Sequence, residues 1–239
     1  MLKSIERRLR APRRPATLSS LDAYERWAEQ YPPHAHNALM QAEQTAMMKL
    51  CPLLAGKRVL DLACGSGRYG LIALSQGAAV TVGLDNSAAM LKQNQHFACA
   101  LSTTEKIPLA SGSVDIVLCG MALGHLKGVE ASLFEIGRVL KRGGCALISD
   151  FHPFIFLNGQ QRTFTAPDGQ TYAVEHYVHL YADYHRAGQA AGLKIDAVLE
   201  PRLGQEADVR FAEANTRTGT PVIIAYRFVK EADTTPLVS

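Results

Sequence analysis

The sequence predicts an α/β fold centred on a doubly wound parallel sheet. Between residues 57 and 150, short apolar runs alternate with helical stretches, the pattern of strand–helix–strand units with right-handed crossovers. The runs Val114-Asp-Ile-Val-Leu-Cys119 and Ala146-Leu-Ile148 are largely apolar, as strands covered on both faces are. Arg58-Val-Leu-Asp-Leu-Ala-Cys-Gly-Ser-Gly-Arg-Tyr-Gly70 reads as a buried strand running into a glycine-rich turn that opens a helix.

In chain order, Ser20 caps a helix carrying Leu21, Tyr24, Trp27 and Ala28 on one stripe, and Tyr31-Pro-Pro33 stops it. A second helix is expected from about Asn37 to Leu50, with Leu39, Ala42, Ala46, Met47 and Leu50 on one face. Strands follow at Arg58–Ala63, Ala79–Leu84, near Cys99–Leu101, at Val114–Cys119 and at Cys145–Asp150. Helices lie between them at about Arg68–Gln76, Ala88–Gln95 and Glu130–Leu140. Past residue 150, Arg162-Thr-Phe-Thr-Ala, the turn Pro167-Asp-Gly169 and Gln170–Val178 predict a β-hairpin. A helix at Tyr181–Ala191 ends at Gly192, and strands at Lys194–Leu199 and Pro221–Val229 close the chain. The expected organisation is a mobile basic arm (1–17) and one domain (18–239). That domain divides into a helical cap (18–56), a core (57–150), an inserted lid (151–180) and a C-terminal helix and strand pair (181–239).

Hydrophobic residues make up 47% of the 239 residues, ample for one core. No apolar run approaches the ~18 residues of a membrane span. Five cysteines (51, 64, 99, 119 and 145) are odd in number and scattered, matching neither a disulfide framework nor metal-ligand spacing. A reduced, cytoplasmic setting is the simplest expectation. Residues 1–14 hold six basic side chains against Glu6, a local +5; with +3 overall, the rest carries −2. The folded body is therefore no polyanion binder, and nucleic acid is not an expected partner. The arm reads as a solvated tail or as an electrostatic dock for an acidic partner, such as a carrier protein or RNA. No apolar core follows its charges, which excludes a secretory signal.

At the glycine-rich turn, Gly65 and Gly67 let the backbone approach a ligand, with free N–H groups of the next helix pointing at it. Gly65, Gly67 and Gly70 spell G-x-G-x-x-G, which by itself suggests a dinucleotide. Asp61, four residues before Gly65, sets this turn apart: a carboxylate beside such a cradle suits a ligand carrying a positive amino group. Here the sequence resembles the class I S-adenosylmethionine-dependent methyltransferases, whose first motif reads much like Val59-Leu-Asp-Leu-Ala-Cys-Gly-Ser-Gly67. The resemblance continues in order through Val82–Leu91, Glu105–Val117, Ala122-Leu-Gly-His-Leu126 and Arg138–Asp150. It implies helices roofing the cofactor before the first sheet strand, an antiparallel C-terminal strand pair, and S-adenosyl-L-methionine as donor, with S-adenosyl-L-homocysteine as product.

The resemblance also assigns roles. Asp61, Ala63, Gly65 and Gly67 form the donor's cradle. Asp85, with Asn86 beside it, ends the second strand 18 residues after Gly67 and corresponds to the acid that binds both ribose hydroxyls. A nicotinamide enzyme carries an acid there too. Thr103-Thr104-Glu105 replaces a common Asp-Ala-Glu, so Thr103 stands where an acid contacts the adenine amino group and the Thr104 N–H faces the ring. Met90 packs in the core or on adenine. Gly120 and Met121 mark where donor and acceptor meet. Ala122-Leu-Gly-His125 resembles the Ala-Leu-His-His of ubiquinone and menaquinone C-methyltransferases, Gly124 opening space for a bulkier acceptor. His125, His152 and Tyr31 are the catalytic candidates, His152 first as a general base, each weighed against a purely structural role. Trp27 reads as packing, Tyr24 as even with Tyr31. His125, His152, His176 and His179 are too irregularly spaced for a metal site.

The expected function is methyl transfer to the O, N or C of a small-molecule acceptor. Alternatives are a carboxyl O-methyltransferase acting on a malonyl-type acyl carrier protein, a non-catalytic S-adenosylmethionine-binding module and a nicotinamide-dependent reductase. The antiparallel final strands argue against the last.

Overall fold

In a computed structural model, which describes residues 14–202 and 219–232, a seven-stranded sheet forms the centre. Its strands are β2 (Arg58–Leu62), β3 (Val80–Asp85), β4 (Ala98–Leu101), β5 (Val114–Gly120), β6 (Leu140–Phe151), β9 (Leu193–Leu199) and β10 (Ile223–Lys230), in the order β4-β3-β2-β5-β6-β10-β9. Only β10 runs antiparallel to its neighbours β6 and β9. The period-two alternation of β-strands divides the core into two layers. Leu60, Leu62, Val117, Cys119 and Ile148 pack on one face with Leu133 and Ile136 of α5 (Glu130–Val139) and Tyr184 of α7 (Tyr181–Ala190). Val59, Ile116, Leu118 and Leu147 pack on the other with Met47 and Leu50 of α2 (Ala38–Leu50) and Ala73 of α3 (Arg68–Ser75). Helices on both faces make the sheet doubly wound, as expected.

The differences from expectation have local causes. Helix α1 (Ser20–Trp27) is capped by Ser19, whose hydroxyl accepts from the Asp22 N–H, and not by Ser20. Helix α4 (Ala88–Lys92) stops earlier than expected; Gln93 is its C-cap, Asn94 turns the chain by accepting from the His96 N–H, and Phe97 then turns inward. A short helix, α6 (Pro153–Leu157), follows β6. The predicted hairpin is β7 (Thr163–Thr165) and β8 (Thr171–Val174), but β8 also pairs in parallel with β1 (Ala16–Leu18). The end of the expected mobile arm is therefore a strand edge; residues 1–13 lie outside the described residues. The three-stranded sheet packs on α1 through Ala23, Trp27, Phe164 and Val174. No helix among the described residues is long and apolar enough to cross a membrane.

Candidate active site

The carboxyl ends of β2, β3 and β5 surround a cavity of about 220 Å³. Its lining includes Asp61, Ala63, Gly65, Asp85, Asn86, Met90, Thr103, Thr104, Glu105 and Gly120, together with Tyr31 and His125. Asp61, 2% exposed, accepts the Gly70 N–H at 2.7 Å through Oδ2. Burial pushes its carboxyl up to about 7, against the opposing pull of that N–H and of the Arg68 charge. Asp85 joins the glycine turn to α4: Oδ2 accepts from Gly65 N–H at 2.7 Å and Oδ1 from Ser87 N–H at 2.8 Å. Burial raises its pKa as well, with these N–H groups pulling the other way. Ala63 and Met121 hold left-handed backbones with φ of 56° and 60°, costing about 1–2 kcal/mol each. Such strain gathers at functional sites.

The roof is Ser20 and Tyr24 of α1 together with Tyr31. Glu25 holds α1 over α4, its Oε1 accepting from the Ser87 hydroxyl at 2.7 Å and the Ala89 N–H at 3.2 Å. Of the three motif glycines, Gly65 alone lines the cavity; a Cβ there would stand 2.9 Å from Met90 Cε. Gly67, expected to approach the ligand, does not line the cavity: it has φ 97° and makes room for Asn94 and Phe97. Gly70 likewise yields space to the Phe97 ring, 2.0 Å from where its Cβ would be. Local pattern could not separate these uses, because Phe97 arrives from the far side of α4.

A charged girder behind the site leaves no local signal in the sequence. Glu43, fully buried on α2, pairs through Oε2 with Arg68 Nη2 at 2.7 Å, while its Oε1 accepts from the hydroxyls of Tyr69 (2.7 Å) and Ser149. Arg68 and Tyr69 line the cavity. The Tyr69 ring lies where a Gly120 Cβ would be, 2.4 Å away. Breaking a buried pair of this kind typically costs ~3–5 kcal/mol.

The histidines separate into different roles. His125 Nδ1 meets the Glu175 carbonyl at 2.8 Å, so this nitrogen carries the proton and Nε2 accepts from the Tyr24 hydroxyl at 3.3 Å. Burial, followed by the Arg162 charge, pushes His125 down to about 4, so it is neutral near pH 7. His152 lines neither this cavity nor the next. Its Nδ1 accepts from the Phe154 N–H at 3.3 Å, capping α6, and Nε2 faces Glu200 at 3.4 Å. It caps α6 and stands outside both cavities, away from where a base would meet an acceptor bound in them. His176 stacks on Phe156 with centroids 3.8 Å apart. A Gly124 Cβ would stand 2.1 Å from His176 Cε1 and 2.6 Å from both Asp150 carboxylate oxygens, so the space expected for an acceptor is already filled. The stretch after β8 is zipped onto the β5 loop: Tyr177 N–H donates to Gly124 O at 2.7 Å, and His179 Nε2 to Leu126 O at 2.9 Å. No group of three metal-ligating side chains occurs among the described residues.

A second cavity of about 480 Å³ adjoins the first, the two sharing Tyr31 and Met121. Its walls are mostly apolar, from Trp27, Leu39, Met40, Phe151, Ile155 and Val222, with Arg162 from the start of the hairpin.

Comparison with known proteins agrees with this geometry. Residues 60–148 match the family described as "Methyltransferase domain". The chain is 33% identical over 102 residues to the ubiquinone/menaquinone biosynthesis C-methyltransferase UbiE of Rubrivivax gelatinosus, covering 41% of this chain and 40% of that one. It is 32% identical over 126 residues to the malonyl-[acyl-carrier protein] O-methyltransferase of Enterobacter lignolyticus, covering 51% and 49%. The chain thus spans about half the length of the curated relatives it matches. Among solved structures, an S-adenosylmethionine-dependent methyltransferase from Mesorhizobium loti superposes with a TM-score of 0.64 at 21% identity, covering 78% of this chain and 97% of that one. The [4+2]-cyclase SpnF superposes with a TM-score of 0.63 at 14% identity, covering 91% and 98%. Residues 60–148 thus match the methyltransferase-domain family, and the chain has the fold of solved S-adenosylmethionine-dependent methyltransferases.

Proposed function

We propose that this protein is an S-adenosylmethionine-dependent methyltransferase acting on a small-molecule acceptor. The observation that carries the reading is the paired arrangement of cavities: one holding two buried carboxylates, the other mostly apolar, meeting at Tyr31 and Met121. The first cavity fits the donor. Asp61 offers a carboxylate to an ammonium, Asp85 offers one to a diol, and the buried Ser66 hydroxyl, with no partner, is free to bond. Glu43 fixes Arg68 and Tyr69 behind it. Bound there, the cofactor supplies an electrophilic sulfonium methyl group.

The protein's own part is alignment and exclusion of water, worth up to ~7–11 kcal/mol when the reacting atoms are well placed. Tyr31 and Met121 stand at the junction. The Tyr24 hydroxyl is held by neutral His125, and burial raises its pKa, so it stays protonated and positions groups without serving as a base. Proton removal by one side chain typically contributes only ~10²–10⁴-fold, and transfer to a readily ionised acceptor needs none.

The SpnF likeness is the reason fold alone does not decide transfer chemistry; a non-catalytic cofactor-binding module would keep the first cavity and have no use for the second. The carrier-protein reading has two supports, the +5 charge of residues 1–14 and the Enterobacter relative. Incubating the protein with methyl-labelled donor, a small-molecule extract and acyl carrier protein tests the proposal. Label is expected in a low-molecular-weight product; label in none, or only in carrier protein, contradicts it.

A further inference from the structure

We propose that the second cavity binds an apolar monocarboxylate and that Arg162 is the residue that selects it; the inference rests on the methyl-transfer reading, of which it would define the acceptor class. The Arg162 guanidinium lies 5.4 Å from the Tyr24 ring centroid and 5.6 Å from those of Trp27 and Phe151. It also faces the hydroxyls of Tyr24 and Tyr31. Its Nη1 is buried with no hydrogen-bond partner. Among the described residues no Asp or Glu forms an ion pair with it and none lines the cavity, although its charge does act on the buried Asp150 carboxyl beyond ion-pair distance.

A guanidinium does not deprotonate in proteins, so this half-buried side chain carries a permanent charge with its Nη1 shut away from water. Aromatic faces compensate only part of that cost, and an unpaired buried charge is otherwise expensive. The buried Arg68 and the half-buried Arg138 show the usual solution, each with a carboxylate at 2.7 Å, from Glu43 and Glu135 respectively. The missing partner at Arg162 is the one a ligand would bring. One cation in an apolar chamber balances one negative charge, which favours a carboxylate over a phosphate dianion, and the planar fork suits it. Leu39, Met40, Ile155 and Val222 then cover an apolar body. Asn37, Gln160, Gln161 and Thr163 add neutral polar groups to the walls.

The test is calorimetry on the full chain, with and without saturating S-adenosylhomocysteine, using octanoate and its neutral isostere octanamide. Octanoate is expected to bind at least about tenfold more tightly, the scale of a hydrogen bond to a charged group. Arg162→Met should abolish the preference, bringing the two probes to equal affinity, and Arg162→Lys should restore part of it. Equal affinity in the wild type, no detectable binding of either probe, or an undiminished preference in Arg162→Met overturns the proposal. An Arg162-dependent preference in a protein that fails to bind S-adenosylhomocysteine would instead remove the methyl-transfer reading and leave the anion site standing.

Discussion

A carboxyl group that burial holds near pH 7, as at Asp61, ionises more readily once a cation sits beside it. In the unfolded chain this group ionises near 3.8, so the free protein loses stability as pH rises from there toward 7. A ligand carrying an ammonium requires the ionised form, so its affinity should rise over the same direction of pH. We expect S-adenosylhomocysteine to bind about tenfold more tightly at pH 8 than at pH 6, with Asp61→Asn flattening the profile; a flat wild-type profile in calorimetry would remove Asp61 from ammonium recognition. His152 gives the opposite kind of prediction. As the cap of α6 it should cost about 0.5–2 kcal/mol of stability when changed to alanine, with kcat within twofold of wild type. A loss of kcat of ~10²–10³-fold would restore it as a base. Asp61 and Asp85 were legible because a strand–turn motif fixes them locally. Glu43 and Arg162 were not, since their environments are assembled from distant segments: the Ser149 hydroxyl reaches Glu43 across 106 positions.

Among the elements, α1 and the hairpin behave as one packed unit. Trp27 stacks on Phe164 with centroids 5.0 Å apart and 17° between planes, and β1 lends its edge to β8. Since Ser20 and Tyr24 roof the donor cavity, excising the hairpin would disturb donor binding as well as acceptor binding. A finer probe is Phe164→Ala, which removes a buried ring at a typical cost of ~3–5 kcal/mol. Hydrogen exchange should quicken in residues 16–27 and 163–174 while β2, β5 and β6 keep their protection. Uniform loss of protection would show that the roof does not open separately. The hairpin was readable from Pro167-Asp-Gly169. The β1 strand was not, because three residues pairing with a partner at Ala16↔Tyr172 leave no periodic trace. The length of α4 was misread for a related reason: Asn94 and Phe97 obey the tertiary demands of Gly67 and Gly70, not helix propensity.

At the scale of the whole molecule, the strand order and the single antiparallel strand β10 follow from alternating apolar segments and the five-motif resemblance, which together made the sheet legible. The second cavity was not, because its walls come from α2, α6, the hairpin and the segment before β10, brought together only by folding. What fills the first cavity decides the chemistry, and both donor classes raised by the glycine turn use an acid at the end of β3. Calorimetry on the full chain with S-adenosylhomocysteine and with NADH, repeated on Asp85→Ala, separates them. The account predicts S-adenosylhomocysteine binding near micromolar, about −8 kcal/mol, no measurable NADH binding, and a loss of about 1.5–3 kcal/mol in Asp85→Ala. Tighter binding of NADH, or S-adenosylhomocysteine affinity unchanged in the variant, would contradict it.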